Sequence, residues 1–270
     1  MAGVEFYLKP DFSKITANSV LAALGQAFFS MSIGWGIMVT YGSYLPKTSN
    51  LVSSGVWVGL MDTGVALLAG LMIFPAVFAF GKSPEAGPTL VFQVLPDIFG
   101  SMPGGVIVGS LFFLLLTVAA LTSSISMLEV PASYFIDEKK WSRKKSAIFV
   151  GVMVFIVGIP SALSHGASDY FTDMSMTVFG DTITGFQGII DYWFGTFFIV
   201  VVALVTCVYV AWKLPISLIV DEMARGASES WAPGGTKSNI FVFFIRYIGP
   251  IVILAVLLNM MGVFGVFAGA

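Results

Sequence analysis

Residues 26–36, QAFFSMSIGWG, interrupt an otherwise apolar run that extends from residue 20 to residue 45. The run is long enough to cross a bilayer, because about twenty residues of helix span the hydrocarbon core. In lipid every backbone N–H and C=O group must find a partner inside the protein. Two glycines, two serines and a glutamine at mid-depth therefore predict a helix that unwinds there and turns its backbone toward a polar ligand. Secondary transporters hold substrate and coupling ions at such breaks.

The composition places the rest of the chain in the same apolar environment. Apolar residues make up 57% and charged residues 10%, whereas soluble proteins have roughly half and a quarter. The chain is therefore predicted to be an integral membrane protein. A net charge of −2 gives no indication of nucleic-acid binding. The single cysteine, Cys207, lies in an apolar run and is expected to be a buried thiol.

Catalytic chemistry has no support in the sequence. The chain has one histidine, one cysteine and no spacing of histidine and acidic residues that is typical of a metal site. His165 lies beside a glycine in a predicted loop and is expected at the surface. A glycine-rich phosphate loop with its lysine is also absent from the sequence. We expect no catalytic residue, no enzyme activity and no cofactor, so the function should be binding and translocation.

Hydropathy predicts six membrane spans, whose boundaries are good to a few residues. They cover residues 20–45, 55–80, 104–136, 147–163, 186–212 and 242–264. Between them the sequence predicts a loop at 81–88, a short interfacial or re-entrant helix at 89–98, a long loop at 164–182 and a connector at 214–241. The connector is expected to begin with a helix cap and to continue as a flexible segment, because it contains the turn-rich run APGG.

The placement of lysine and arginine predicts the orientation. The loops after the first, third and fifth spans carry more of these residues than the loops on the opposite side, and such loops face the cytoplasm. The N-terminus, with the approach segment 1–19, is therefore expected outside. That segment lacks the pattern of a cleavable signal peptide, so we expect something to precede residue 1.

Four long segments resemble one family of membrane proteins. They are GQAFFSMSIGWG at 25–36 with VTYGSY at 39–44, ALLAGLMIFPAVFAFG at 66–81, AALTSSISMLEVP at 119–131 and IDEKKWSRKK at 136–145. In their order and spacing they resemble the bacterial branch of the neurotransmitter:sodium symporter family. The chain is similar to that family's helices six to eleven, with GVEFYLKPDF at 3–12 as the extracellular approach to helix six.

The resemblance implies an all-α integral membrane fold of the leucine-transporter type. The core of that fold is two inverted five-helix repeats. Residues 20–213 then correspond to the second repeat, and residues 242–264 to one further helix. By this resemblance helices one to five, which form the N-terminal half of the family's fold, are missing from the chain.

The resemblance also implies two sodium sites, and sodium is the only metal expected. Ser30 matches a ligand of the first site, and Asp62 lies in the neighbourhood of another. Ala119, Thr122 and Ser123 match the second site. Their i, i+3, i+4 spacing places one carbonyl and two hydroxyls on one helix face, and a hard cation such as sodium needs oxygen ligands.

Each of these assignments has a purely structural alternative. Glycine and serine in membrane helices commonly serve close helix packing. The hydroxyls of Thr122 and Ser123 could bond back to carbonyls of the preceding turn. Asp62 could be a polar residue near the membrane edge instead of a buried carboxylate with a functional partner.

The substrate pocket of the family corresponds to residues on the first and third spans of this chain. By resemblance these residues are Phe29, Ser32, Trp35, Gly36, Ser123 and Met127, with Phe29 as an aromatic lid. Such a lining favours a hydrophobic or aromatic amino acid as the substrate.

Two aspartates resemble the family's gates. Asp191 matches the extracellular gate acid, and Asp137 matches the cytoplasmic gate acid, which Tyr44 assists. The arginine partners of both acids belong to the missing N-terminal half. Asp137 could instead be a solvated acid at the edge of a loop. Glu129 would need a partner if it were buried, and the sequence does not identify that partner.

The function implied by the resemblance is sodium-coupled symport of an amino acid by alternating access across a bacterial inner membrane. Chloride is not expected to be required, because the carboxylate of Asp62 can take the place of the anion. Half a ligand shell cannot desolvate an ion, so the chain is expected to be inactive alone. The alternative is a non-transporting membrane protein, either truncated or a subunit that packs against another helix bundle in the lipid bilayer.

Overall fold

The computed structural model describes residues 2–81, 90–227 and 229–263. Most of these residues are helical, as the composition predicts. The α-helices of this part of the chain are α1 (Ala2–Leu8), α2 (Ala17–Ser30), α3 (Ile37–Tyr44), α4 (Leu51–Ala79), α5 (Leu95–Ser101), α6 (Gly105–Asp137), α7 (Arg143–Leu163), α8 (Asp169–Thr172), α9 (Phe186–Ile190), α10 (Phe198–Trp212), α11 (Ile216–Ala224), α12 (Thr236–Phe243) and α13 (Gly249–Met260).

Short π-helical segments join some of these helices into longer ones. Leu90–Val94 leads into α5, Asp191–Phe197 joins α9 to α10, and Phe244–Ile248 joins α12 to α13. The two joined helices at the C-terminal end of the fold therefore run over Phe186–Trp212 and Thr236–Met260. A π-helical turn inserts one residue into the ladder, and such turns are frequent at functional sites.

Five helices of the described residues are long and apolar enough to cross a membrane. They are α4, α6, α7 and the two joined helices, which confirms a multi-pass membrane protein. These helices correspond to the last five of the predicted spans. The last one begins at Thr236, earlier than the predicted residue 242, because the Ser238 hydroxyl donates to the carbonyls of Ala232 and Gly235 (2.9 and 2.8 Å) and satisfies the polar first turn. Helix α11 occupies part of the connector that was expected to be flexible.

The first predicted span is divided into α2 and α3, as the interrupted sequence predicts. Residues 31–36 separate the two helices. Ser32, Gly34 and Gly36 have φ values of 56°, 91° and 80°, which lie in the left-handed region that ends a right-handed helix. The broken helix is therefore confirmed, and the break lies in the second half of the quoted stretch.

The chain divides into two compact units, and each has its own core. The first unit comprises Met1–Ile15 and Trp57–Ile125. Its core contains the buried side chains of Val77, Leu95 and Ile98. The last two belong to the short apolar helix Leu90–Ser101, which agrees with the short helix predicted at 89–98. The loop predicted at 81–88 lies, apart from Gly81, outside the described residues.

Helix α1 packs against α4 within the first unit. The ring of Phe6 lies 5.4 Å from that of Phe74, and the Tyr7 hydroxyl donates to the carbonyl of Ala66 at 3.3 Å. A Cβ atom added at Gly70 would lie 2.2 Å from Cζ of Tyr7. Gly70 therefore provides the space in which the Tyr7 ring lies, so the approach segment begins as a packed helix.

The second unit comprises Thr16–Val56 and Ser126–Ala270. The buried residues of its core come from α10 and α13, and side chains of α2 pack against them. Between α8 and α9 the chain forms a hairpin of β1 (Ser175–Val178) and β2 (Asp181–Thr184). Phe179 and Gly180 both have positive φ, as the tight turn of a two-residue hairpin requires. This hairpin begins in the loop predicted at 164–182 and extends two residues beyond it, and its strands are too short for hydropathy to reveal.

Because the Tyr7 ring lies against Gly70, a single methyl group added at this position is predicted to destabilise the protein. We expect Gly70→Ala to displace the Tyr7 ring and to lower the free energy of unfolding by about 1–2 kcal/mol. The matched control is Gly64→Ala on the same helix, where an added Cβ meets nothing within 4 Å and alanine is the better helix former. Thermal unfolding in detergent measures both variants. Equal stability of the two variants would contradict the packing of α1 on α4.

Candidate functional site

The break between α2 and α3 presents two helix ends to the same short segment. The last backbone hydrogen bonds of α2 are donated by Met31 N–H to Ala27 C=O (3.0 Å) and by Ile33 N–H to Phe28 C=O (2.9 Å). In α3, Thr40 N–H donates to Gly36 C=O (2.9 Å). The first amides of a helix have no acceptor inside that helix, nor do the last carbonyls have a donor. The carbonyl end of α2 and the amide end of α3 therefore meet at residues 31–36, with negative and positive partial charge respectively.

Gly34 brings this segment into backbone contact with α10. A Cβ atom added at Gly34 would lie 2.2 Å from the carbonyl oxygen of Ile199. Any other residue would need the two backbones to separate, and the φ of 91° is also one that side chains disfavour. The close approach of the break to α10 therefore requires glycine at position 34.

The aromatic residues of the predicted substrate pocket meet across the break. The ring of Phe29, at the end of α2, lies 5.9 Å from that of Trp35 in an edge-to-face arrangement. Gly36 lies against α6, because an added Cβ would be 3.1 Å from Cγ1 of Val130. Met127 lies on α6 one turn before Val130 and is exposed. Ser32, which lies between these two residues in the sequence, has the left-handed backbone conformation already described.

The predicted sodium ligands on α6 share one exposed helix face. The Thr122 hydroxyl donates to the carbonyl of Ala119 at 2.8 Å, which is the back-bond that the structural alternative predicts. The same bond also places the two oxygens side by side. Thr117 and Ser124 make equivalent back-bonds, to Phe113 and Ala120, so this bond does not distinguish ligand positions from ordinary ones.

Asp62 lies well inside a membrane-length helix. It is the twelfth residue of α4, about 16 Å from the helix start at 1.5 Å per residue, and it is half-buried. Asp62, Ala119, Thr122 and Ser123 belong to the first unit and Ser30 to the second. The structure therefore places each predicted ion ligand on its helix, within its own unit.

A cavity of about 420 Å³ opens between α2, α13 and the π-helical segment before α10. Phe29 and Asp191 both line it, so the predicted aromatic lid and the predicted extracellular gate acid face one space. Gln26 and Asn259 add amide groups to a largely apolar wall. Gln26 is one of the polar residues that interrupt the first predicted span, but neither it nor Asn259 was predicted as a site residue; a polar residue within an apolar span is also the signal that would have identified Asn259.

Asp191 opens the π-helical segment Asp191–Phe197. Its carboxylate lies against the backbone of Gly195, where an added Cβ would be 2.5 Å from Oδ1. The π-helical turn and this glycine therefore set the direction in which the carboxylate points.

A buried carboxylate on α6 has two partners that the sequence did not identify. Glu129 is 7% exposed. It accepts hydrogen bonds from Nη2 of Arg143 at 2.8 Å to each oxygen, and from the Tyr44 hydroxyl at 2.7 Å to Oε1. This cluster ties α3, α6 and α7 together. Asp137, the predicted gate acid that Tyr44 assists, is exposed at the end of α6, while the Tyr44 hydroxyl bonds to Glu129.

We expect the two charged residues of this cluster, Glu129 and Arg143, to differ in how much their replacement destabilises the protein. Arg143→Ala leaves the Glu129 carboxylate buried without its cation, and we expect a loss of about 2–3 kcal/mol in the free energy of unfolding. Glu129→Gln leaves the exposed arginine in solvent and keeps an oxygen for Tyr44, so it should cost less. Lys144→Ala, an exposed cation one residue further on, is the control. Unfolding in detergent that shows no difference between Arg143→Ala and Lys144→Ala would refute the cluster's role.

Comparison with known proteins covers nearly the whole chain. A model of the sodium:neurotransmitter symporter family matches residues 1–266. The uncharacterized sodium-dependent transporter YhdH of Bacillus subtilis is 40% identical over 265 residues, which are 97% of this chain and 56% of that protein. An uncharacterized sodium-dependent transporter of Haemophilus influenzae is 36% identical over 260 residues, 96% of this chain and 54% of that protein.

A solved structure has the same fold. The crystal structure of MhsT in complex with L-phenylalanine superposes with a TM-score of 0.83 and 39% identity, over 96% of this chain and 56% of that one. The chain thus spans about half the length of the relatives that it matches. The broken helix, the membrane-length helices and these matches together show that the chain belongs to the sodium:neurotransmitter symporter family.

Proposed function

We propose that this chain forms one wall of the transport site in a sodium-coupled amino-acid symporter. The observation that carries the proposal is the break at residues 31–36, where two helix ends and the rings of Phe29 and Trp35 converge, in a chain of the sodium:neurotransmitter symporter family. A broken helix at mid-membrane supplies backbone charge without a charged side chain. Such a site suits the zwitterionic end of an amino acid and its accompanying cations.

Two sodium sites are proposed from the family resemblance. By that resemblance Ser30, at the end of α2, is a ligand of the first site, and Asp62 is assigned only to the neighbourhood of another of its ligands. The second would use the carbonyl of Ala119 and the hydroxyls of Thr122 and Ser123. The i, i+3, i+4 spacing of these three residues supports this site, because it places one carbonyl and two hydroxyls on one helix face.

The substrate is proposed to be a hydrophobic or aromatic amino acid. Phe29 and Trp35 supply flat apolar surfaces, and the family resemblance assigns Met127 and Ser123 of α6 to the substrate pocket. Ser32 and Gly36 would contribute backbone groups at the break. The solved structure of MhsT contains L-phenylalanine, and its 39% identity to this chain supports a substrate of similar chemistry.

Transport is proposed to occur by alternating access in a bacterial inner membrane, with the N-terminus outside. Ion and substrate share one site, so binding of each raises the affinity for the other by linkage. Asp191 would close the site from the outside. Asp137, with Tyr44, would close it from the cytoplasm, beside the buried Glu129 carboxylate and its exposed partner Arg143.

Helices outside these 270 residues are proposed to supply the opposite wall. The chain spans 56% of the first relative described above, and an ion cannot be desolvated by part of a ligand shell. We therefore expect the chain to bind and move its substrate only together with those helices. The competing proposal is a membrane protein or subunit that packs against other helices without transport.

A chimera tests the proposal directly. This chain replaces the matching part of MhsT, and uptake of L-phenylalanine into proteoliposomes is measured with and without a sodium gradient. We expect sodium-dependent uptake by the chimera and none by the 270-residue chain alone. A chimera that is folded and inserted but transports nothing would favour the non-transporting alternative. Robust uptake by the chain alone would contradict the need for a second wall.

Single substitutions in the chimera test the second sodium site. Thr122→Val and Ser123→Ala should each raise the half-saturating sodium concentration by about tenfold, the factor that corresponds to about 1.4 kcal/mol of lost ion binding. The matched controls are Thr117→Val and Ser124→Ala, whose hydroxyls donate to carbonyls four residues earlier on the same helix. If the controls shift sodium dependence as much, the four hydroxyls are structural and the site assignment is wrong.

Anion replacement tests the role of Asp62. Uptake by the parent chimera should be unchanged when gluconate replaces chloride, because a fixed carboxylate already balances the ions. Asp62→Asn removes the negative charge and should lower the apparent sodium affinity by tenfold or more, which corresponds to a loss of about 1.4 kcal/mol or more in ion binding. An absolute chloride requirement in the parent chimera would contradict this account of Asp62.

A further inference from the structure

The hairpin formed by β1 and β2 carries its apolar strand residues on one side. Successive side chains of a strand point to opposite sides, and the apolar residues that share a side here are Met176, Val178 and Ile183. The other side consists of serine and threonine, and the hydroxyl oxygens of Thr177 and Thr182 lie 3.4 Å apart there. Because a two-stranded hairpin alone is only marginally stable in water, its apolar side needs a surface on which to pack.

The hairpin packs on the π-helical segment between α9 and α10. Nε1–H of Trp193 donates to Sδ of Met176 at 3.4 Å. At the turn of the hairpin, the ring of Phe179 lies 5.9 Å from that of Phe197. Both aromatic partners belong to the π-helical segment. The hairpin therefore folds back on the helix that follows it in the chain.

The two residues that the hairpin contacts lie across one π-helical turn. The Phe198 N–H donates to the carbonyl of Trp193, five positions earlier, which is the bond that defines a π-helix. The rings of Trp193 and Phe197 meet edge-to-face at 5.3 Å. If this turn returned to α-helical bonding, the register would shift by one residue, which is a rotation of about 100° about the helix axis. Contacts at both ends of the turn oppose that shift.

The direction of the Asp191 carboxylate depends on the same register. Asp191 is the first residue of the π-helical segment and lines the cavity beside α2 and α13. Its Oδ1 lies against the backbone of Gly195, inside the segment. A rotation of about 100° about the helix axis would turn the carboxylate out of the cavity.

We propose that the hairpin keeps this segment π-helical and thereby directs the Asp191 carboxylate into the cavity. Met176 and Phe179 are positioning residues, which act on the carboxylate through Trp193 and Phe197. The effect on transport rests on the proposed gate role of Asp191. The direction of the side chain at position 191 does not, and it is measured without transport.

Labelling of a cysteine at position 191 tests the proposal in the full 270-residue chain. Asp191→Cys is combined with Cys207→Ala, which removes the native thiol. The rate of reaction with a charged methanethiosulfonate reagent, which modifies thiols in contact with water, is followed by mass spectrometry in detergent. We expect Met176→Ala with Phe179→Gly to lower this rate by about fivefold, the size of effect that loss of a sulfur–aromatic contact gives.

The hairpin variant has two matched controls. Thr177→Ala with Thr182→Ala changes only the polar side of the hairpin and should leave the labelling rate unchanged. Met176→Leu with Phe179→Tyr keeps the size of both side chains and should restore most of the rate. Glycine at position 179 removes the ring but suits the φ of 51° found there, so the turn itself is retained.

The chimera with MhsT shows whether the hairpin acts on transport through Asp191. Met176→Ala with Phe179→Gly should speed the release of bound L-phenylalanine by about fivefold, the same size of effect as on labelling. This increase should be absent in an Asp191→Asn background, because a residue that acts through a carboxylate has no effect once that carboxylate is removed. A hairpin that only stabilises the fold would change release equally in both backgrounds.

Two outcomes would overturn the proposal. The first is an unchanged labelling rate at position 191 in a folded hairpin variant. The second is an equal change of release in the parent and Asp191→Asn backgrounds. Failure of the gate is a separate result: Asp191→Asn alone would then leave release unchanged, while a slower labelling rate in the hairpin variant would still support control of the side-chain direction by the hairpin.

Discussion

Between Ser30 and Ile37 the regular helical hydrogen bonding of the backbone is interrupted. At this depth in the membrane, lipid provides no other hydrogen-bond partners. An unpaired backbone group in hydrocarbon costs several kcal/mol, so this segment persists only where protein surrounds it. The surrounding protein packs closely on this segment, because Gly34 contacts the carbonyl of Ile199. Ser32, Gly34 and Gly36 all have left-handed φ values there. In the proposed site, the helix ends at this break would face a zwitterion and its cations.

The two halves of the broken helix are held by different parts of the second unit. Helix α2 packs with the core of α10 and α13. Helix α3 is tied to α6 by the bond from the Tyr41 hydroxyl to Ser126 (2.7 Å) and by that from Tyr44 to Glu129. Each half therefore has its own packing partners. Separate packing of the two halves is compatible with the proposed alternating access.

Much of this architecture could be predicted from the sequence, since apolar runs and an interruption by glycine and serine depend only on local composition. The break and the membrane-length helices are confirmed on that basis. The partners of Glu129 could not be predicted, because Arg143 lies fourteen positions away across a turn. Helix α11 and the hairpin at residues 175–184 are short and partly polar, so hydropathy does not distinguish them from loops. The ion-ligand assignments depend on family resemblance and remain predictions.

The backbone conformation of residues 31–36 in a bilayer is the most direct test of the account. Solid-state NMR of the reconstituted chain, with ¹³C- and ¹⁵N-labelled glycine and serine, reads that conformation from chemical shifts. We predict helical shifts for Gly25 and Gly42, which lie within α2 and α3, and non-helical shifts for Ser32, Gly34 and Gly36. Helical shifts throughout 25–42 would mean an unbroken span with no exposed backbone ends, and would contradict the site on which the proposed function depends.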